Sequence, residues 1–271
     1  MRLIIIGGDE RNRKLTALAL ARGHEVALIG HGGDDLPPRG LYQAAVFPLP
    51  IAERDGCAPA PNAQRPLPIE ETMAYCADGA RVYAAGACPA LALAVREKGC
   101  VRIDPLADEA FVQANAAITA ECAIGLAISQ SESCLYDGAC LVLGYGRIGR
   151  ALALRLRGLC ARVTVAARRA CSRAQAQSDG MDAAALEGPF LPHYSFLFNT
   201  IPAPAAENAL KSALLPGALA MDLASAPYGV DLEAAGRLGV RAVRASGLPG
   251  RCAPESAARA MLALMEQTDG A

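Results

Sequence analysis

The chain has 271 residues, with 26 Lys and Arg against 27 Asp and Glu, for a formal net charge of −1. That length allows two domains of ordinary size, each able to bury its own core. The balanced charge gives no summed positive field to draw in a nucleic-acid backbone or an anionic membrane, which leaves a small molecule as the expected partner.

Leu3 to Ile6 reads as a buried strand, and Leu15, Leu18, Ala19 and Arg22 follow at helical spacing before Gly23. Val26 to Ile29 restarts as a strand, and Ala44 to Leu49 is a third apolar run. The stretch holding Pro48, Pro50, Pro59, Pro61, Pro66 and Pro68 reads as a loop or linker. Beyond it Ile69 to Cys76 looks helical, Arg81 to Ala85 strand-like, and Ala90 to Lys98 an amphipathic helix closed by Gly99. Asp108 to Ser129 lacks Pro and forms the longest helical pattern, read as the connector between domains.

The second half repeats the alternation: Ala139 to Leu143 strand, Ile148 to Leu156 helix, then strands at Arg162 to Ala166, Tyr194 to Asn199, Ala218 to Leu223 and Val240 to Arg244. Five parallel strands are expected. The last helix, Pro254 to about Gln267, carries Ala257, Met261, Leu264 and Met265 on one face. Strands alternating with helices predict an α/β fold of doubly wound parallel sheets. The expected division is a substrate domain over 1–129 with its connector at about 108–129, a dinucleotide domain over 130–252, and a C-terminal helix over 253–271 packing back across the junction.

Ten cysteines (Cys57, Cys76, Cys88, Cys100, Cys122, Cys134, Cys140, Cys160, Cys171 and Cys252) are scattered without a C-x-x-C, so no disulfide framework and no metal site is expected. Reduced, structural thiols suit a cytoplasmic protein. The N-terminus carries no charged-then-apolar leader, and the apolar stretch from Ala114 to Ile128 is interrupted by Asn115 and Glu121 and read as too short to span a bilayer, so no membrane association is expected.

Leu141-Val-Leu-Gly-Tyr-Gly-Arg-Ile-Gly149 puts a strand directly before G-x-G-x-x-G and a helix directly after it, the context that makes this pattern a dinucleotide turn. Gly144 permits the tight turn, Gly146 lets the backbone approach a pyrophosphate, and Gly149 lets helix and strand pack closely, with Tyr145, Arg147 and Ile148 completing the loop. The next strand ends in Ala167-Arg168-Arg169, where an NAD enzyme offers an acid to the ribose 2′-hydroxyl. A guanidinium there can pair with a 2′-phosphate, so NADP is expected; the other reading is two arginines on a solvated loop.

Gly7-Gly8-Asp9-Glu10-Arg11 also follows a strand and precedes a helix, but its acidic residues would repel phosphates, so Asp9 reads as a helix cap or, with Arg11, as part of a substrate cleft. The later strand ends lead into Asn199-Thr200-Ile201-Pro202, Asp222-Leu223-Ala224-Ser225 and Ala245-Ser-Gly-Leu-Pro249-Gly250-Arg251, loops of the kind that wrap a nicotinamide ribose. None of His24, His31 and His193 is placed as a catalytic base. Glu121 is the best-placed carboxylate, with Asn115 and Thr119 nearby; a solvated helix residue is the alternative.

At these motifs, together with Gly247-Leu-Pro-Gly250 and Ala253-Pro254, the chain resembles the A subunit of bacterial dipicolinate synthase, a sporulation family, over almost its whole length. The resemblance implies two Rossmann-like domains arranged as in formate and glycerate dehydrogenases, and NADP-linked oxidation of a dihydrodipicolinate-type ring to pyridine-2,6-dicarboxylate. It also implies partnership with a flavoprotein-like B subunit in the mother-cell cytoplasm, with homo-oligomerisation open. Ile51 to Pro68 departs from the family pattern, as does Arg169, where a small hydroxyl residue is expected. Two other functions remain: another NADP oxidoreductase acting on a small carboxylate or imine, and a non-catalytic NADP-binding regulatory partner.

Overall fold

The computed structural model describes residues 1–32, 36–51, 55–159 and 161–269. The chain divides into two compact units, Met1–Asn115 with Pro249–Ala271, and Ala116–Leu248. The boundary falls inside the long helix rather than after it.

The first unit is built on a parallel sheet of β1 (Arg2–Ile6), β2 (Glu25–Ile29), β3 (Tyr42–Val46), then, after the two-residue strands β4 (Cys57–Ala58) and β5 (Leu67–Pro68), β6 (Cys76–Tyr83) and β7 (Val101–Ile103). Its order is β2-β1-β3-β6-β7, the flavodoxin-like arrangement when the sheet strands are renumbered. Helices α1 (Glu10–Ala21), α2 (Ile69–Met73) and α3 (Pro89–Glu97) connect them. Because a strand turns alternate side chains to opposite faces, Leu3 and Ile5 join one core with Leu15, Ala19 and Met261, while Ile4 and Ile6 join another with Met73, Leu91 and Val95. That two-sided burial is why Leu3 to Ile6 is a continuous apolar run.

The proline-rich stretch is part of this unit rather than a linker. β4 and β5 pair antiparallel, Ala58 and Leu67 are buried, and Gly8 N–H donates to Pro59 O at 2.8 Å. A Cβ on Gly7 would stand 2.5 Å from Pro59 O. The space above the first glycine turn is therefore filled by the chain's own backbone.

Helix α4 (Glu109–Gln130) is long and apolar enough to cross a membrane, which corrects the expectation that this stretch is too short. It buries Ala116, Ala120, Ala123 and Ala127, a stripe at helical spacing.

The second unit holds β8 (Ala139–Leu143), α5 (Arg147–Gly158), β9 (Arg162–Ala166), α6 (Ala170–Ser178), β10 (Asp182–Ala184), β11 (Tyr194–Asn199), α7 (Glu207–Ser212), β12 (Leu214–Asp222), α8 (Leu232–Arg237) and β13 (Arg241–Arg244). Its sheet has the order β10-β9-β8-β11-β12-β13, all neighbours parallel. Counted from β8 this is 3-2-1-4-5-6, the Rossmann dinucleotide order, with one strand more than the five expected. The short helix α9 (Leu248–Cys252) leads to α10 (Pro254–Asp269). That last helix belongs to the first unit, where Ala258, Met261, Leu262 and Met265 share the core of Leu15 and Ala19 on α1.

Candidate dinucleotide-binding site

β8 is fully buried, so its carboxyl end delivers the glycine turn at the middle of the second sheet, beside the point where the strand order reverses. Gly144 has φ +91° and its N–H donates to Ala166 O at 2.9 Å; an added Cβ would meet Thr200 Oγ1 at 2.6 Å. At Gly149 an added Cβ would stand 2.3 Å from Gly144 O. Both positions exclude any side chain. At Gly146, by contrast, a Cβ would meet nothing within 4 Å. Gly146 is also the N-cap of α5, and no side chain caps that helix. The turn thus combines two glycines required by packing with a third beside open space at a helix N-terminus, where amide N–H groups favour an anion. These residues fit the diphosphate of a dinucleotide, which Gly144 to Gly149 would hold.

Thr200 completes the wall of the turn: its Oγ1 and its N–H both donate to Leu143 O, at 2.8 and 3.0 Å. Tyr145 is anchored through Asp179, a residue that no motif in the sequence singles out. Tyr145 Oη donates to Asp179 Oδ2 at 2.8 Å, and Arg150 Nε donates to the same oxygen at 2.7 Å. Arg150, Tyr145 and Gln175 together hold the Asp179 carboxyl down at about 2, while burial and Asp179 push the Tyr145 phenol up. Asp179 lies 34 residues from Tyr145 and is the C-cap of α6, so no local pattern signalled it.

Arg168 and Arg169 follow β9 after the single residue Ala167. Both are exposed, and Arg168 Nε lies 3.7 Å from Glu187 Oε1. Arg173 Nη1 donates to the carbonyls of Ala167 and Arg168 at 2.8 and 2.7 Å, which fixes the turn that carries the two arginines. A cavity of about 450 Å³ lined by Arg168, Glu187, Asn208 and Lys211 opens there.

The Asn199 side chain, expected to contact a cofactor, is spent on structure. Its Nδ2 donates to Ile201 O at 3.0 Å and to Asp222 Oδ1 at 2.8 Å, and its Oδ1 accepts Ile201 N–H at 3.2 Å. Asp222 also accepts the N–H groups of Ala224, Gly229 and Val230 and an ion pair from Arg244. Arg244 lies over the Tyr228 ring, 4.0 Å from its centroid. Ile201, Pro202 and Ser225 remain accessible on their loops, whereas Leu223 and Ala224 are buried. A larger cavity of about 650 Å³ opens between α7 and α8, lined by Lys211, Tyr228, Asp231 and Arg237 among others.

In the first unit Asp9 caps α1 and grips Arg11: Nε donates to Oδ1 at 2.8 Å and Nη2 to Oδ2 at 2.9 Å, while Nη2 also donates to Leu49 O at 2.9 Å. Burial pushes the Asp9 carboxyl up, but the Arg11 bonds outweigh it and leave it lowered. Gly250 packs against this pair, since its added Cβ would lie 2.2 Å from Asp9 Oδ2. Pro249 is buried and Arg251 exposed. Asn115 lines a small hollow with Arg11 and Leu49.

Glu121 does not join that group. At about 100° per residue, Asn115 and Thr119 stand about 40° apart on α4, and Glu121 points about 160° away from Thr119. Its Oε1 accepts Arg155 Nε and Nη2, both at 3.2 Å, on an exposed surface.

Among the described residues the cysteines are all free, and no group of three or more metal-type side chains gathers; Cys160 lies outside them. Burial pushes the Cys140 thiol up to about 12, so it stays protonated inside its strand.

No protein-family model matches the chain. The dipicolinate synthase A subunit of Bacillus subtilis (strain 168) is 32% identical to it over 151 residues, which is 53% of this chain and 49% of that one. The match therefore spans about half of that curated relative. The crystal structure of the dipicolinate synthase A subunit from Bacillus halodurans superposes with a TM-score of 0.84 at 23% identity, covering 98% of this chain and 97% of that one.

The chain resembles the A subunit of dipicolinate synthase. The crystal structure of the Bacillus subtilis protein has the same fold, with a TM-score of 0.83 at 21% identity over 100% of this chain and 96% of that one. D-lactate dehydrogenase from Escherichia coli follows with a TM-score of 0.60 at 17% identity, over 100% of this chain and 98% of that one. The chain thus has the fold of the dipicolinate synthase A subunit and, more distantly, of D-2-hydroxyacid dehydrogenases, two Rossmann-like domains on parallel sheets.

Proposed function

We propose that this chain is an NADP-dependent oxidoreductase of the kind represented by the A subunit of dipicolinate synthase, which converts a dihydrodipicolinate-type ring to pyridine-2,6-dicarboxylate. The observation that carries the cofactor is the Gly144 to Gly149 turn, packed so that only Gly146 faces open space at the uncapped end of α5. The substrate comes from the sequence similarity to the Bacillus subtilis protein.

Bound at the Gly144 to Gly149 turn, NADP would supply a two-electron hydride acceptor for the ring, whose remaining proton would be lost to solvent or a base as the ring becomes aromatic. The gain of aromaticity drives the step, so the chain's task is to bind and orient rather than to supply a strong base. Gly144 to Gly149 hold the diphosphate, and Tyr145 is kept in place by Asp179. Thr200 and the Ile201–Pro202 and Ser225 segments bound the nicotinamide side. Asn199 acts through Asp222, fixing the two loops that follow β11 and β12. Arg168 and Arg169 meet the 2′-phosphate.

A dianionic substrate asks for cationic donors. Arg251 supplies an exposed guanidinium, and Arg11 is held in one orientation by Asp9 and Leu49 O, beside Gly250 and Asn115. Thr119 lies on the Asn115 side of α4, and Glu121 serves structure through Arg155. The protein works in the cytoplasm with a flavoprotein-like B subunit.

The purified chain, mixed with the dihydrodipicolinate precursor and NADP, is expected to yield pyridine dicarboxylate and NADPH together, both followed by absorbance. NADPH formed only with other small carboxylates or imines makes it a different oxidoreductase of this fold. Binding without turnover on any of these leaves a regulatory partner.

A further inference from the structure

The adenosine end of the dinucleotide cleft contains an acid as well as the two arginines. β10 pairs with β9 in parallel, Ala184 opposite Ala166, and Ala167 N–H donates to Ala184 O at 3.1 Å. The two strands therefore leave the sheet at the same edge. Two residues past one strand end stands Arg168, and three residues past the other stands Glu187. The segment carrying Glu187 is held in place: Leu186 is buried in the core beneath the sheet, Gly188 N–H donates to Ala185 O at 3.1 Å, and Asn208 Nδ2 donates to Gly188 O at 2.7 Å. On the other side, Arg173 fixes the Arg168 turn.

The other charges of the same cavity are already matched, because Lys211 Nζ donates to Glu207 Oε1 at 2.6 Å. Glu187 and Arg168 are exposed and 3.7 Å apart, a pair that costs little to open. Opened, it presents one acceptor suited to a ribose 2′-hydroxyl and one donor suited to a 2′-phosphate.

We infer that Glu187 is a specificity-determining residue of this cleft: its carboxylate accepts the 2′-hydroxyl of NAD and repels the 2′-phosphate of NADP, narrowing the preference for NADP that Arg168 and Arg169 create. The inference rests on the dinucleotide reading above. It makes the chain able to take both nucleotides, with the balance set by one carboxylate just past the end of the neighbouring strand.

Calorimetric titration of the full chain with NADP and with NAD tests it. Glu187→Gln is expected to tighten NADP by about five-fold, the size of a contact between unit charges about 4 Å apart in water, and to leave NAD equal or weaker. Low ionic strength enlarges the difference, since the charges are exposed. In an Arg168→Ala background, where NADP binds more weakly, Glu187→Gln is expected still to tighten NADP by a similar factor, because the repulsion between carboxylate and 2′-phosphate does not pass through the guanidinium and the exposed pair costs little to open. An unchanged NADP affinity in Glu187→Gln, or a parallel shift for both nucleotides, overturns the inference while leaving the dinucleotide site standing. Absence of binding by the unaltered chain to either nucleotide overturns both.

Discussion

Asn199 and Asp222 stand opposite each other at the carboxyl ends of β11 and β12, joined by a bond of 2.8 Å from Nδ2 to Oδ1, and neither is exposed to solvent at all. Asp222 gathers three backbone N–H groups, the Asn199 amide and the Arg244 guanidinium, so its charge is fully compensated inside the protein. Asp222→Ala strands all of these donors at once. Loss of one partner from a buried ion pair costs about 3–5 kcal/mol, and Asn199→Ala, which removes a neutral amide bonded to Ile201 and Asp222, about 1–3 kcal/mol. Urea unfolding of the two variants checks the ranking; equal losses would show that the carboxylate is not the centre of the network.

The glycines of the turn separate packing from binding. Gly149→Ala drives a methyl group into Gly144 O, which forces α5 away from β8 and is expected to cost about 1–3 kcal/mol together with nucleotide affinity. Gly146→Ala meets open space at an ordinary φ of −82°, so its melting temperature should stay close to that of the parent. Its nucleotide affinity should fall at least ten-fold, since the methyl group occupies the approach of the diphosphate. Calorimetry and thermal melting on the same preparations distinguish the two; full nucleotide affinity in Gly146→Ala removes the diphosphate from this turn.

Much of this was legible in the residues. Leu3 to Ile6 and Ala139 to Leu143 are covered on both faces, so their strands appear as unbroken apolar runs. The glycine spacing marks the tight strand-to-helix turn because two of its three glycines are fixed by close contacts with Gly144 O and Thr200. The edge strands β7 and β10 were not readable: each has three residues, none fully buried, with Arg102 in one and Asp182 in the other. α6 was missed because its residues are mostly polar and only Ala176 is buried. The proline-rich segment looked like a linker because its pairing amounts to two residues on each side, and what holds it is contact with Gly7, Gly8 and the first core. The Asn199 and Asp222 loops were recognised as important, but the direction of their side chains follows from the pairing of β11 with β12, which no short motif encodes.

Asp179 gives a dependence on acid. Its folded carboxyl titrates at about 2, held down first by the Arg150 hydrogen bond and then by Tyr145. An unfolded aspartate titrates near 3.9, roughly, so the unfolded chain takes up the proton first as pH falls. The stabilisation is therefore complete above about pH 4 and is lost as the pH drops through 2. Asp179→Asn should make the decline of melting temperature between these values shallower than in the parent and should release Tyr145. Identical slopes for the two proteins would show that Asp179 is free of Arg150 and Tyr145 in solution.

Glu121 is the carboxylate that the sequence singles out for chemistry, and the structure gives it a different occupation. Its Oε1 receives two bonds from Arg155 on a surface where 69% of the Glu121 side chain is exposed, while Asn115 and Thr119 point to another side of the helix. An exposed pair of this kind contributes about 0–1 kcal/mol. Glu121→Gln is accordingly expected to change turnover by less than two-fold and to shift the denaturation midpoint only slightly. Arg11→Ala provides the contrast: it removes a cation that Asp9 and Leu49 O hold in one orientation, so KM for a dianionic substrate should rise ten-fold or more, about the worth of one charge-assisted hydrogen bond. Steady-state kinetics on the two variants decide between the carboxylate on α4 and the guanidinium on α1 as the group that meets the substrate. A large loss of kcat in Glu121→Gln with an unaffected Arg11→Ala would reverse the assignment.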